Sequence, residues 1–181
     1  MQDRIRLKIL GSADIVGNTE IGIMTLIDEN EKKLFAVVCD TQMKNYIHKR
    51  LAHREKCKEM LPEVLVRIIT ERIGLSFYIL INEIVNGQYR AIVVSEDNGE
   101  SLRLNAVDAV LLHIISEAPI YVDATLFQTQ GVPYIPGSPA MAIPYNVLTD
   151  QMLQDALNKA VETENYEMAS RFRDELRNRN K

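Results

Sequence analysis

Residues 75–95 read LSFYILINEIVNGQYRAIVVS. Two apolar-rich runs, 75–85 and 88–95, flank Asn86-Gly87. That dipeptide suits a two-residue hairpin turn because both central positions of such a turn need positive φ. The stretch predicts an antiparallel hairpin, and the rest of the sheet is read outward from it. Downstream, Asp97-Asn98-Gly99 marks another turn into a short strand, 101–104. Upstream, Pro62 suits a first helical turn and Gly74 a C-terminal stop, which brackets a helix over 62–73.

Further out the pattern alternates between strand and helix. Ile5, Leu7 and Ile9 alternate with charged residues over 4–10, the mark of a half-buried strand. Strands follow at 21–27 and 34–39 around a polar turn. A helix is predicted over 43–53, with Met43, Tyr46, Ile47 and Leu51 inward and the basic residues outward. Asn105 reads as an N-cap with Asp108 in the capping-box position. The helix it opens runs to Glu117, because Pro119 forbids extension. A last short strand is expected at 120–122. These elements predict an α+β body with a mainly antiparallel sheet and packed helices over 1–130. A Pro/Gly-rich connector should follow over 131–148, packed along a surface, and then a helical hairpin over 149–181.

The hairpin rests on two stripes: Leu153, Leu157 and Val161, then Tyr166, Ala169, Phe172 and Leu176. Helices of about 13 residues are marginal alone, so the pair is expected to dock on its twin or on another protein. Glu164 to Leu176, with Ala169 and Arg173-Asp174-Glu175, resembles the UVR motif, a helical hairpin through which subunits of bacterial nucleotide-excision repair associate. That resemblance implies a protein partner bound through 149–181. The hairpin and the open sheet edges together favour a homo-oligomer, most simply a dimer.

Composition narrows the class. Apolar content of 46% and charged content of 25% suit a globular protein. No apolar run approaches the roughly 20 residues that span a bilayer. The charged N-terminus, MQDRIRLKIL, lacks a secretory core, so a cytoplasmic protein that avoids membranes is expected. Cys39 and Cys57 read as free thiols. Net charge is −4, yet Lys44, Lys49, Arg50, Arg54, Lys56 and Lys58 face one acid, Glu55, within 44–58. Such a ridge is a candidate DNA- or RNA-binding surface, although a solvated helix face gives the same pattern.

From Arg4 to about Gln128, the chain resembles the bifunctional nuclease domain of bacteria and plants. The likeness lies in the opening strands at 21–27 and 34–39, in Glu63-Val64-Leu65 of a central helix, in Asp108-Ala109 of a second, and in Ala118-Pro119-Ile120-Tyr121-Val122. It departs where the family opens its central helix with Arg-Pro and Thr-His-Asp, and its second with Arg-Pro-Ser-Asp-Ala. Lys58-Glu59-Met60-Leu61-Pro62-Glu63 and Asn105-Ala106-Val107-Asp108-Ala109 stand there instead. The resemblance implies metal-assisted phosphodiester hydrolysis, with Asp108, Glu63 and Asp40 as catalytic acids and Asp108 and Glu63 as ligands of Mg²⁺ or Mn²⁺. Each acid also fits a plainer role, Asp108 and Glu63 in a first helical turn and Asp40 at a strand end. His113 reads as a partly buried structural residue. No nucleophile elbow, P-loop, dinucleotide fingerprint or zinc signature occurs. The alternative function is a non-catalytic module for nucleic acid or protein, and a third is an oligomeric regulator of a small ligand.

Overall fold

The computed structural model describes residues 3–15, 18–85, 87–134, 136, 148 and 150–179. The predicted hairpin forms: β4 (Phe77–Val85) pairs antiparallel with β5 (Gln88–Ser95), closing with Val85 opposite Gln88. Gly87 has φ +73°, the conformation for which glycine suits this turn, while Asn86 lies outside the described residues. β6 (Ser101–Asn105) adds to the outer edge of β5. At the other side stand β1 (Arg4–Ile15), β2 (Asn18–Asp28) and β3 (Lys33–Asp40), an antiparallel meander extended by the two-residue β8 (Val132–Pro133). β7 (Ile120–Asp123) joins the two halves, giving one eight-stranded sheet in the order β6-β5-β4-β7-β1-β2-β3-β8. The fold is α+β.

One pairing was not legible locally. β7 runs parallel to β4, Ile79 opposite Ile120, because α3 (Ala106–Ser116) carries the chain over the sheet between β6 and β7. Parallel neighbours require such a crossover. The other helices are α1 (Thr41–Ala52), α2 (Leu61–Arg67) continuing as a π-helical turn through Ile68–Ile73, and α4 (Ala124–Gln130). The C-terminal pair is α5 (Asp150–Glu162) and α6 (Tyr166–Arg179). α4 escaped the sequence reading, although Asp123 caps it by accepting from the Leu126 amide at 3.0 Å. No helix among the described residues is long and apolar enough to cross a membrane. Most of the connector, including Ile135, Met141, Ile143 and Tyr145, lies outside the described residues.

The core lies between the helices and one sheet face. Leu7 of β1, Val37 of β3, Ile79 and Ile81 of β4 and Ile120 and Val122 of β7 all point inward, following the period of two. Phe35 packs on Tyr89 at 4.7 Å and on Phe127 at 6.3 Å between ring centres. α3 contributes Ala106, Ala109 and Val110, one narrow stripe of small side chains that brings its backbone close to the sheet. Where α1 crosses β2, a Cβ on Gly22 would lie 2.8 Å from Cδ and 2.9 Å from Cβ of Lys44. Only a bare backbone admits the helix there.

α1 overturns one expectation. Leu51 is 47% exposed, whereas Arg50 is 2% exposed and faces inward with Ile47. Arg50 can be buried because its charge is met inside the protein, as described below.

α3 ends at Glu117 in the left-handed region, and His113 in its last turn makes a 2.7 Å contact from Nδ1 to the Ala118 carbonyl. Burial outweighs that contact and holds the imidazole pKa below its usual value. An unfolded chain protonates histidine near pH 6.5, so below that pH the unfolded state binds the extra proton first and stability falls. His113→Gln is expected to keep the fold and flatten the loss of stability between pH 7.5 and 5.5. Urea midpoints at the two pH values measure it; an unchanged pH slope in the variant would remove His113 from the account.

Candidate functional site

The end of β3 and the start of α3 border a cleft of about 670 Å³. Asp40 and Asp108 both lie on it, with Asn105, Gln88, Cys39 and Tyr89. Asp40 ends β3 and caps α1, its Oδ1 accepting from the Met43 amide at 2.6 Å. Asp108 sits in the first turn of α3, where Oδ2 accepts from the Asn105 side-chain amide at 3.3 Å. The Asn105 amide makes no cap bond of its own, so the expected capping box becomes a side-chain pair, and Arg90 donates to the Asn105 oxygen. The Cys39 thiol is pushed up to about 11, first by burial and then by the charge of Asp40. It stays protonated at neutral pH and is not a nucleophile. Cys39 and Cys57 are both buried free thiols, as their separation in sequence suggested.

Glu63 lies elsewhere. It lines a second cleft of about 460 Å³ between α1, α2 and α3, together with Arg50, Arg54, Lys58, Arg67 and Glu71. Arg50 Nη2 donates to Glu63 Oε2 at 3.1 Å. Its Nε lies 2.6 Å from Oε1, a charge contact whose N–H is not aimed for a hydrogen bond. Nη1 donates to the Tyr46 carbonyl at 3.1 Å, and the guanidinium carbon stands 3.6 Å above the Tyr46 ring. Burial alone would lower the Arg50 pKa, but Glu63 and Tyr46 together outweigh it and the net shift is upward. The pair is nearly enclosed, with side chains 1% and 12% exposed.

The three sequence-predicted acids therefore divide between two clefts. Asp40 and Asp108 share one, while both oxygens of Glu63 face Arg50 in the other. Among the described residues no three His, Cys, Asp or Glu side chains form a group suited to a metal ion. The carboxylates do not fit a shared Mg²⁺ or Mn²⁺ centre, because one site oxygen caps a helix and a whole carboxylate neutralises an arginine.

The basic ridge is likewise divided. Arg50 is enclosed with Glu63, Arg54 pairs with Glu117 and Lys58 with Glu55 at 2.6 Å. The aliphatic part of Lys44 lies over Gly22. Lys49 and Lys56 are exposed, and no ion pair between described residues engages either. Acids from α2 and the end of α3, remote in sequence, thus offset much of the local charge.

Sequence reasoning missed Arg50 as a structural residue and Asn105, Gln88 and Tyr89 as lining residues. Only the first had a local signal: Met43, Ile47 and Arg50 fall at i, i+4 and i+7, one helical face. No family model matches the chain, and no curated protein matches it.

Proposed function

We propose that this chain is a cytosolic binding module of the bifunctional-nuclease kind, whose inherited acidic positions now serve structure and whose UVR-like hairpin recruits a protein partner. The Arg50–Glu63 pair carries the reading. A carboxylate held against a buried guanidinium is not free to ligate a cation or activate water, and releasing it would strand an arginine in the interior. Val161 and Tyr166, 51% and 67% exposed on either side of the hairpin turn, supply an apolar and an aromatic contact of the kind enriched at interfaces. A second reading, metal-assisted hydrolysis of DNA or RNA with Mg²⁺ or Mn²⁺, draws on Asp40 and Asp108 bordering one cleft.

Labelled single-stranded DNA and RNA incubated with the protein in Mn²⁺, Mg²⁺ or chelator separate the two. The expected result is no metal-dependent cleavage. Cleavage that chelator stops and that Asp40→Asn or Asp108→Asn abolishes would overturn the binding-module reading. Salt dependence measures what remains of the ridge. With Lys49 and Lys56 alone on phosphates, a fourfold rise in salt weakens nucleic-acid binding about tenfold, against on the order of 100-fold for four contacts.

A further inference from the structure

The sheet face turned away from the core carries its own chemistry. Register fixes one row across it: Arg103 of β6, Ile92 of β5, Leu80 of β4, Tyr121 of β7 and Arg6 of β1 stand side by side. The residues next to them in sequence, Ile79, Ile120, Val122 and Leu7, belong to the core, so the row faces the opposite way. α1, α3 and α4 all contribute to that core. By the same alternation Tyr78 joins Leu80 on this face, and Arg4 and Lys8 join Arg6. The four cations Arg4, Arg6, Lys8 and Arg103 are exposed, and both tyrosines are half-buried.

At the centre an aromatic pair lies under a cation. Tyr78 and Tyr121 stand edge to face, 5.8 Å between ring centres and 89° between planes. The Arg4 guanidinium carbon lies 4.2 Å from the first ring centre and 4.3 Å from the second. An exposed contact of this kind is weak, so Arg4 can swing to a phosphate and bare the rings, or offer its own outer plane. Arg6 meets Glu29 at 3.5 Å with both side chains about half exposed, a pairing that binds little. Lys8 and Arg103 form no ion pair with a described residue. Asp123 stands opposite Arg4, but its Oδ1 is engaged by the Leu126 amide, and Glu83 stands opposite Arg90 toward one end of the face.

These features select the occupant. Leu80 and Val94, beside the tyrosines, are only 7% and 9% exposed, so the centre has no protruding apolar side chain to enter a membrane. An acidic peptide would use the cations and leave the tyrosines idle, and a duplex hides its base faces. A single strand uses both, its bases stacking on tyrosine and guanidinium planes while its phosphates meet the flanking cations. Four inter-strand steps of about 4.8 Å set Arg103 and Arg6 roughly 19 Å apart, a reach suited to the about two or three bases that such sheet platforms stack.

We propose that this face binds single-stranded nucleic acid, with Tyr78, Tyr121 and Arg4 as the stacking platform and Arg6, Lys8 and Arg103 on phosphates. The surface is distinct from both clefts, from the basic side of α1 and from the hairpin. It goes beyond the protein-recruiting role and needs no catalytic acid.

Fluorescence anisotropy in chelator, with a labelled single strand, its duplex and an inorganic polyphosphate, tests it. The single strand, RNA or DNA alike, should bind about tenfold tighter than either competitor. Tyr78→Leu and Tyr121→Leu keep the apolar bulk; each should weaken the single strand about tenfold and leave polyphosphate unchanged. Arg103→Ala, on the edge strand, should weaken both and lower the salt slope by about one. Lys49→Glu with Lys56→Glu, on α1, should alter neither. Thermal melts identify any tyrosine variant that unfolds, and Arg4→Ala, at an exposed position, then reads the platform by a severalfold loss for the single strand alone. Wild type that fails to bind the single strand at micromolar protein overturns the proposal. So does duplex or polyphosphate bound as tightly, or affinity lost in the α1 variant but kept in Arg103→Ala. Unchanged single-strand affinity in Arg4→Ala and in the folded tyrosine variants overturns the stacking platform.

Discussion

Glu63→Ala is expected to destabilise the protein by about 3–5 kcal/mol, the largest single-residue effect anticipated in the α+β body. Among the described residues, the variant removes the one carboxylate paired with a guanidinium whose side chain is 1% exposed. Arg50 would remain charged, because its proton is not lost at any pH the fold survives, and the stacking on Tyr46 and the bond to the Tyr46 carbonyl recover only part of the loss. Arg50→Ala should cost less than Glu63→Ala, since the stranded Glu63 is 12% exposed and reaches water more easily. Arg50→Met with Glu63→Gln should recover a substantial share of either loss, since an uncharged pair of similar volume carries no desolvation penalty. Urea unfolding of wild type, the two alanine variants and their double-alanine combination gives the coupling energy directly. Single variants within about 1 kcal/mol of wild type would show the pair to be dispensable, returning Glu63 to consideration as a functional acid. A ligand role predicts the reverse, a small stability change or even a gain on removing the acid.

The elements were legible where the chain's own periodicity decides them. Alternation at Ile5, Leu7 and Ile9 faces them to the core as expected, and Pro62, Gly74, Asn105 and Pro119 bound helices close to where their backbone preferences placed them. Reading failed where the outcome depends on distant partners. The parallel β4–β7 contact depends on how α3 lies across the sheet. Arg50 looked like a solvated cation because its acid comes 13 residues later, and Arg54 because Glu117 comes 63 later. Candidate acids chosen by position along the chain were thus sorted by packing. Asp40 and Asp108 came together because both begin helices at the same end of the sheet, while Glu63, one helix away, turned to an arginine instead.

The hairpin gives the other large effect. Phe172→Ala is expected to unfold α5 and α6 while the sheet body keeps its own cooperative transition. The two helices are 13 and 14 residues long, about the length at which isolated helices are marginal in water. What holds them is a miniature core of Leu153, Ala160, Ala169 and Phe172, to which Phe172 brings the bulkiest side chain. Removing that ring costs about 3–5 kcal/mol in a well-packed interior, more than a core this small can spare. The turn offers little compensation. Glu164 is left-handed at φ 56° without being glycine, a strained conformation, and the Asn165 side chain only caps α6 by accepting from the Met168 amide at 3.3 Å. Far-UV circular dichroism should lose the helical signal of this segment, and hydrogen exchange should lose protection across both helices but not in β4 or β5. Tyr166→Ser, at a position 67% exposed, should leave both signals intact and weaken only partner binding. Retained protection in Phe172→Ala would mean that contacts outside the pair hold the hairpin, and its role as an independent association element would go with it.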